Sequence, residues 1–254
     1  MASSAAKKIR RALIGWLVIP WLAGNVAAGT VGRDITLVSS HLAPYAMEIG
    51  EPAGLVVEMV RAIEARLGSR RPIHYLPWSR ALKLVQQNPD HLIFPLTRMP
   101  EREADYRWLI KAAHIELAFL SAQGEPLSLE QARTLARISV QQDTPFQYFL
   151  ERRGFDNLVA VADPAPVHLN LLASGRTQAW FTSTDQAHYL WPRVMGDRPL
   201  VLGPVVYRSD LYIATSKRFP AAVADAYREA FAALIREGEI QRIRDRYAQT
   251  QRIK

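Results

Sequence analysis

The sequence predicts an α/β protein built as two lobes around a cleft. Strand-like apolar runs alternate with amphipathic helical runs from residue 35 to 96, and the alternation restarts from 137 to 182. The two sets are of similar length, and extended segments near 112–121 and 203–212 join them. Such alternation implies a parallel or mixed sheet flanked by helices. Clefts between lobes are favoured places for small-molecule sites.

Each element has its own signal. "ITLVSS" (35–40) reads as a strand, and "PAGLVVEMVRAIEARLG" (52–68) as a helix with Leu55, Met59, Ile63 and Leu67 on one face, closed by Gly68. "PIHYLPW" (72–78) is a second strand, "SRALKLVQQ" (79–87) a short helix with Ser79 as its expected N-cap, and "HLIFPL" (91–96) a third strand. After the β-rich stretch at 112–121 come a strand at 137–142, a helix at 144–154, a strand at 157–162, a helix at 167–175 and a strand at 177–182. Thr144, Pro145 and Gln147 form a helix start: an N-cap hydroxyl, a proline at N1 and a glutamine at N3 able to complete a capping box. A strand at 210–215 leads into helices that present Val223, Tyr227, Phe231 and Leu234, break at Gly238, and resume with Ile240, Ile243 and Tyr247.

The first 28 residues read as an export signal rather than as part of the fold. Lys7, Lys8, Arg10 and Arg11 precede the apolar core "ALIGWLVIPWLAG", and Val26 and Ala28 supply the small residues of a cleavage site after Ala28. That core is short of the ~20 residues a membrane span needs. Removal takes four of the 32 basic residues and none of the 24 acidic ones, leaving 28 against 24, a net charge of +4. This mild, dispersed charge does not fit nucleic-acid binding. The chain has no cysteine, hence no disulfide, thiol nucleophile, thiolate metal site or lipid-anchored cysteine. A soluble protein of the bacterial periplasm is expected.

"APY" (43–45), "GLVVEMVRAIEARLG", "LPWSRAL" (76–82), "TRMPER" (97–102), "LLASGRTQAWF" (171–181) and "LIREGEIQRIRDRY" (234–247) occur in an order and spacing that resembles the family 3 extracellular solute-binding proteins, related to the histidine- and glutamine-binding proteins of ABC transporters. The resemblance covers essentially the whole chain after the signal. It implies the type II periplasmic-binding-protein fold, with residues 29–116 and 209–254 forming one lobe and 117–208 the other. It also implies capture of a small polar, carboxylate-bearing solute, such as an amino acid or analogue, by hinge closure. Delivery to an inner-membrane ABC permease follows, by a monomer needing no cofactor or metal.

By the same resemblance Arg102, at the end of a motif headed by Thr97, binds the solute's carboxylate. A guanidinium is suited to this, being a rigid bidentate donor that keeps its charge. Alternatively Arg102 decorates a turn and pairs with Glu101 or Glu103; Arg98 is solvated, interlobe or ligand-facing. The second lobe contributes Thr144 and the helix it opens. Asp143 stands where the family usually has a glycine, and Met99 where a threonine often supports the carboxylate. Amino-acid receptors of the family carry an ammonium-binding aspartate eight residues beyond the glycine that corresponds to Gly175. Here that position is Ser183, flanked by Thr182 and Thr184, and the nearest carboxylate, Asp185, reads as the third residue of a helix capped by Thr182. Tyr45 and Trp78 follow strands at the carboxyl end of the sheet, where open α/β folds place ligands; core packing is their other possible role. Arg80 meets the ligand's far end or pairs with Asp90.

Two other classes compete. A cyclohexadienyl-dehydratase-like enzyme would need a general acid in the cleft, and only Asp143 and Asp185 come near it. A soluble carrier for a membrane sensor would share the capture step. His41 follows the first strand, and Asp185 with His188 is the one pair with any metal-like spacing; no nucleotide loop, nucleophile elbow or zincin helix is present.

Overall fold

The computed structural model describes residues 35–50, 53–162 and 165–252; the expected export segment at 1–28 lies outside them. β1 (Thr36–Ser39) buries Leu37 and Val38 completely, as suits a central parallel strand, and is followed by α1 (Leu55–Arg66). Gly54 precedes α1 at φ 119°, its N–H donating to the Tyr247 hydroxyl at 2.7 Å. A Cβ there would lie 2.6 Å from the Tyr45 carbonyl oxygen, so glycine alone fits this entry to the helix. β2 (Ile73–Tyr75), α2 (Trp78–Gln87) and β3 (His91–Thr97) complete the first set. β2 and β3 flank β1 in parallel. α2 starts at Trp78 behind Pro77, whose fixed φ begins the turn, so Ser79 sits inside the helix and is not its cap.

β4 (Tyr106–Ser121) is sixteen residues long and begins six residues before the expected stretch, because Tyr106, Leu109 and Ile110 are buried among polar neighbours that mask the pattern. The second set comprises α3 (Leu129–Arg133), β5 (Ile138–Gln141), α4 (Pro145–Glu151), β6 (Leu158–Val161), α5 (Pro166–Ala173), β7 (Ala179–Ser183), α6 (Thr184–Met195) and the two-residue β8 (Val201–Leu202). α3 and β8 are too short for usable periodicity; the available signal for α3 was its capping box, in which Ser128 accepts from the Gln131 N–H and the Gln131 side chain from the Ser128 N–H. β9 (Tyr207–Ser216) then returns to the first lobe, followed by α7 (Ala221–Arg236) and α8 (Glu239–Arg252), separated at Gly238 as expected.

Among the described residues these strands form one sheet in the order β2-β1-β3-β9-β4-β7-β5-β6, with β8 beside β4. β9 is antiparallel to both β3 and β4, and the far end of β4 continues antiparallel to β7, from Leu117↔Ser183 to Leu120↔Trp180. The two long strands thus carry the sheet from one α/β lobe into the other. On β3, Pro95 has no N–H to give the ladder, and the register against β9 shifts between Ile93 and Leu96.

α1, α7 and α8 share one apolar cluster built on Met59, Ile63, Tyr227, Phe231 and Ile243, while α2 packs Ala81 and Val85 on the opposite face against Val38 and Ile93. A buried carboxylate ties the first set together. Glu64 accepts from the Arg71 guanidinium at 2.9 Å, from the Arg71 N–H at 3.1 Å and from the Tyr227 hydroxyl. Removing one partner of such a buried pair typically costs ~3–5 kcal/mol. A separate cluster in the second lobe packs Leu169, Trp180 and Trp191 together, and receives Ala43 and Met47 from the loop after β1.

Within that cluster His168 stacks on Trp180 with ring centroids 5.1 Å apart and an 8° interplanar angle. Neither of its ring nitrogens has a hydrogen-bond partner, and burial pushes its pKa down to about 4. The imidazole is therefore neutral in the fold, while the unfolded chain takes up a proton near pH 6.5. The contribution is full above pH ~6.5 and is lost as pH falls toward 4. His168→Phe should keep stability at neutral pH and flatten its decline across that window, as read by thermal melts from pH 7 to 4; an unchanged slope would refute the assignment.

Candidate functional site

β3 ends at Thr97, and the chain turns through Met99 into a 3₁₀ turn, Pro100–Arg102, closed by the Arg102 N–H on the Met99 carbonyl. Arg102 is only 6 % exposed. One of its terminal nitrogens donates to the Thr97 carbonyl at 3.2 Å, and the guanidinium carbon lies 5.5 Å from the centre of the Trp78 ring. Neither expected carboxylate partner is used: Glu101 pairs with Arg152 across the cleft rim, and Glu103 with Arg98 at 2.7 Å. Among the described residues Arg102 has no carboxylate partner, and burial lowers its pKa to about 10. An unpaired buried charge is costly, which marks this one as held for something else.

Two hollows lie beside this turn, and Arg102 lines the outer one. The inner one, about 30 Å³, lies between His41, Trp78 and Thr97 of the first lobe and Gln141, Thr144 and Phe146 of the second. That volume holds about one or two waters. The outer one, about 580 Å³, is lined by Arg102, Met99 and Lys83 on one side and by Asp143 and Tyr148 on the other. Its size falls within the ~300–1,000 Å³ usual for small-molecule sites. Trp78 stands between the two: its ring faces Arg102, and its indole N–H is buried with no partner. Burial lowers the His41 pKa against the opposing pull of Glu48, so the ring is neutral at pH 7 and adds no charge to the inner hollow.

Thr144 caps α4, accepting from the Gln147 N–H at 3.4 Å and donating to the Gln141 carbonyl at 2.6 Å. The capping box closes one residue early, with the Gln147 side chain accepting from the Asp143 N–H at 2.9 Å. Of the residues singled out from sequence, Arg102, Thr97, Trp78 and Thr144 are thus brought together. Tyr45, Thr182 and Ser183 are not. Tyr45 is 1 % exposed and donates to Asp185 at 2.5 Å; burial, and then the neighbouring Asp185 carboxylate, raise its pKa well above the ordinary phenol value. Thr182 donates to the Gln186 side chain at 2.6 Å, and Ser183 accepts from the Gln186 N–H at 3.2 Å. Ser183, not Thr182, is therefore the N-cap of α6, and its buried hydroxyl serves the helix.

Arg98 lies over Trp108 and Tyr212, 5.5 Å and 5.4 Å from their ring centres, on a solvated turn. Asp90 takes His91 at 2.7 Å instead of Arg80, which is exposed. Among the described residues no cluster of histidine and acidic side chains is placed to hold a metal, and no helix is long and apolar enough to cross a membrane. Sequence reasoning passed over Gln141 and Phe146. The available signal was their place at the end of β5 and the start of α4, where ligand-facing residues collect in open α/β sheets.

Comparison with known proteins places the fold. The family model described as bacterial extracellular solute-binding proteins, family 3, matches residues 35–250. A histidine kinase sensor domain with similarity to periplasmic binding proteins superposes with a TM-score of 0.75 at 20 % identity, covering 84 % of this chain and 95 % of the other. A mutant of ArgBP from T. maritima gives 0.75 at 16 % identity over 85 % and 95 %. An ancestral amino-acid-binding protein described as a precursor of cyclohexadienyl dehydratase gives 0.70 at 15 % over 84 % and 94 %. These structures share the two-lobed fold with this chain. No curated protein matches its sequence.

The unpaired guanidinium carries a stability consequence. Arg102→Met keeps an unbranched, flexible side chain, shorter than arginine by the guanidinium, and removes the buried charge; replacing buried ion pairs by apolar groups is often stabilising by ~1–4 kcal/mol. Arg102→Met should melt a few degrees higher than the parent in the absence of any added solute, at ~2–4 °C per kcal/mol for a chain of this size. A lower melting temperature would mean that the contacts to Thr97 and Trp78 outweigh the desolvation.

Proposed function

This chain belongs to family 3 of the bacterial extracellular solute-binding proteins, and we propose that it captures a small carboxylate-bearing solute, an amino acid or an analogue, in the cleft beside Arg102. The carrying observation is the buried guanidinium without a counter-charge, beside a hollow whose two walls come from different lobes. A carboxylate docked there supplies the missing charge. Charge-assisted bonds of this kind contribute ~1.5–3 kcal/mol each. Thr97 and Thr144 line the inner hollow from different lobes and would contact the part of the solute that reaches between them, and the unpartnered indole N–H of Trp78 offers a further donor.

Residues 29–116 and 209–254 form the first lobe in this reading and 117–208 the second. A solute that touches both walls favours the state in which they are close, so binding and hinge closure are one equilibrium. Residues 1–28 direct the chain to the periplasm and are removed after Ala28. The loaded protein, a monomer, hands its solute to an ABC permease of the inner membrane. The neighbours named above are mostly binding proteins, which fits capture without turnover.

Thermal stabilisation of residues 29–254 against amino acids, their deaminated and decarboxylated analogues, short peptides and cyclic acids tests the reading. A solute at one hundred times its dissociation constant adds ~2.7 kcal/mol, a readily measured shift. Arg102→Ala should weaken the best carboxylate at least ten-fold, or ~1.4 kcal/mol; unchanged affinity would sink the assignment. A cyclic acid consumed rather than bound would favour an enzyme. The pH dependence follows from the same group. Arg102 is charged below its lowered pKa of about 10, so affinity should hold from pH 6 to 9 and decline above about 10, as followed by calorimetric titration.

A further inference from the structure

Asp143 is the one residue other than glycine, among those described, with a backbone in the left-handed region, at φ 56°. Aspartate tolerates that region better than most side chains, but glycine occupies it freely. The turn is held by the Asp143 N–H donating to Gln147, so the conformation is fixed by its surroundings. Its carboxylate is half-buried and has neither a hydrogen bond nor an ion pair among the described residues. Strained residues persist where the surrounding structure holds them, and they cluster at ligand sites.

The other acids around the outer hollow are engaged. Glu101 pairs with Arg152, Asp105 accepts from Gln86 at 3.2 Å, and Glu151 accepts from Gln147 at 2.7 Å. The hollow therefore presents a free buried guanidinium and a free carboxylate from opposite lobes, not paired with each other. Lys83 also borders it, but is exposed. Opposite charges held apart in one hollow by two fixed turns match a solute that carries both signs. Ser183, buried and committed to capping α6, offers no charge to a cation.

We propose that Asp143 is the counter-charge for a cationic group of the solute, so that the captured molecule is a zwitterion with its carboxylate on Arg102 and its ammonium on Asp143. This rests on the reading of Arg102 given under the proposed function. The test uses calorimetric titration of the purified protein and of Asp143→Asn and Asp143→Gly. The probes are the standard amino acid giving the largest thermal shift and its des-amino acid. Asparagine keeps the shape and, like aspartate, tolerates the left-handed backbone, while glycine occupies it freely, so a loss common to both variants reports the carboxylate and not the turn.

Both variants should lose at least ten-fold in affinity for the amino acid and no more than about three-fold for the des-amino acid. Equal affinity of parent and variants for the amino acid would overturn the proposal while leaving Arg102 in its role. So would equal losses for the two probes, which would mean that Asp143 shapes the turn only. A parent that binds des-amino acids alone would also overturn it, the carboxylate reading surviving. If no carboxylate of either kind binds, the reading of Arg102 falls, and this proposal with it.

Discussion

The site is organised by one cost, that of holding the guanidinium of Arg102 out of water without a partner of opposite charge. Moving a cation into a protein interior carries a penalty of several kcal/mol even after relaxation. A structure that tolerates it must supply the energy elsewhere and must keep nearby acids away. Both are visible here. The 3₁₀ turn fixes the residue, the Thr97 carbonyl takes one of its five N–H donors, and the Trp78 ring covers one face. The flanking acids are drawn off to Arg98 and Arg152, the first by a salt bridge that also engages the Trp108 indole N–H at 3.1 Å. The surplus comes from the clusters around α1, α7 and α8 and around Trp180.

Position matters as much as charge. β1, β2, β3 and β5 end toward the cleft, so the loops that follow them deliver His41, Trp78, Thr97 and Thr144 to one place from four separate stretches of chain. Parallel strands make this possible, because each crossover helix returns the chain to the far edge and the next strand ends on the same side. Behind the site, Tyr45 joins Asp185 and the Ala43–Met47 loop packs on the second lobe's cluster. Tyr45 thus sits deeper than its position after β1 suggests, tying the loop after β1 to α6 behind the cleft.

Much of this was legible in the residues. The alternation of elements, the break at Gly238 and the cap at Thr144 all follow from local chemistry that does not depend on distant contacts. What escaped depended on tertiary partners. Ser183 against Thr182 as cap is a difference of one residue in where a strand stops, decided by β7 pairing as far as Ser183 with Leu117. The fate of Tyr45 turned on an acid 140 positions away. The freedom of Arg102 could be read only once Glu101 and Glu103 were seen to be taken. Asp143 lay between: the sequence marked it as a substitution for glycine, and the backbone shows it keeping the glycine conformation.

β4 and β9 pair with each other at ten positions, and β4 carries an extra residue twice, at Leu109 and at Ala112, both buried. Such a ribbon resists sliding, since a slip of one residue would turn every side chain to the wrong face. It yields most easily by flexing out of its own plane, and the two bulges already bend and twist the strand that carries them. The two lobes are therefore joined by something closer to a leaf spring than to a swivel. In the proposed closure this ribbon would confine the lobes to nearly one coordinate, and the two walls of the cleft would meet in the same alignment each time. The orientational search that two independent binding surfaces would have to make has already been completed by the folding of the chain.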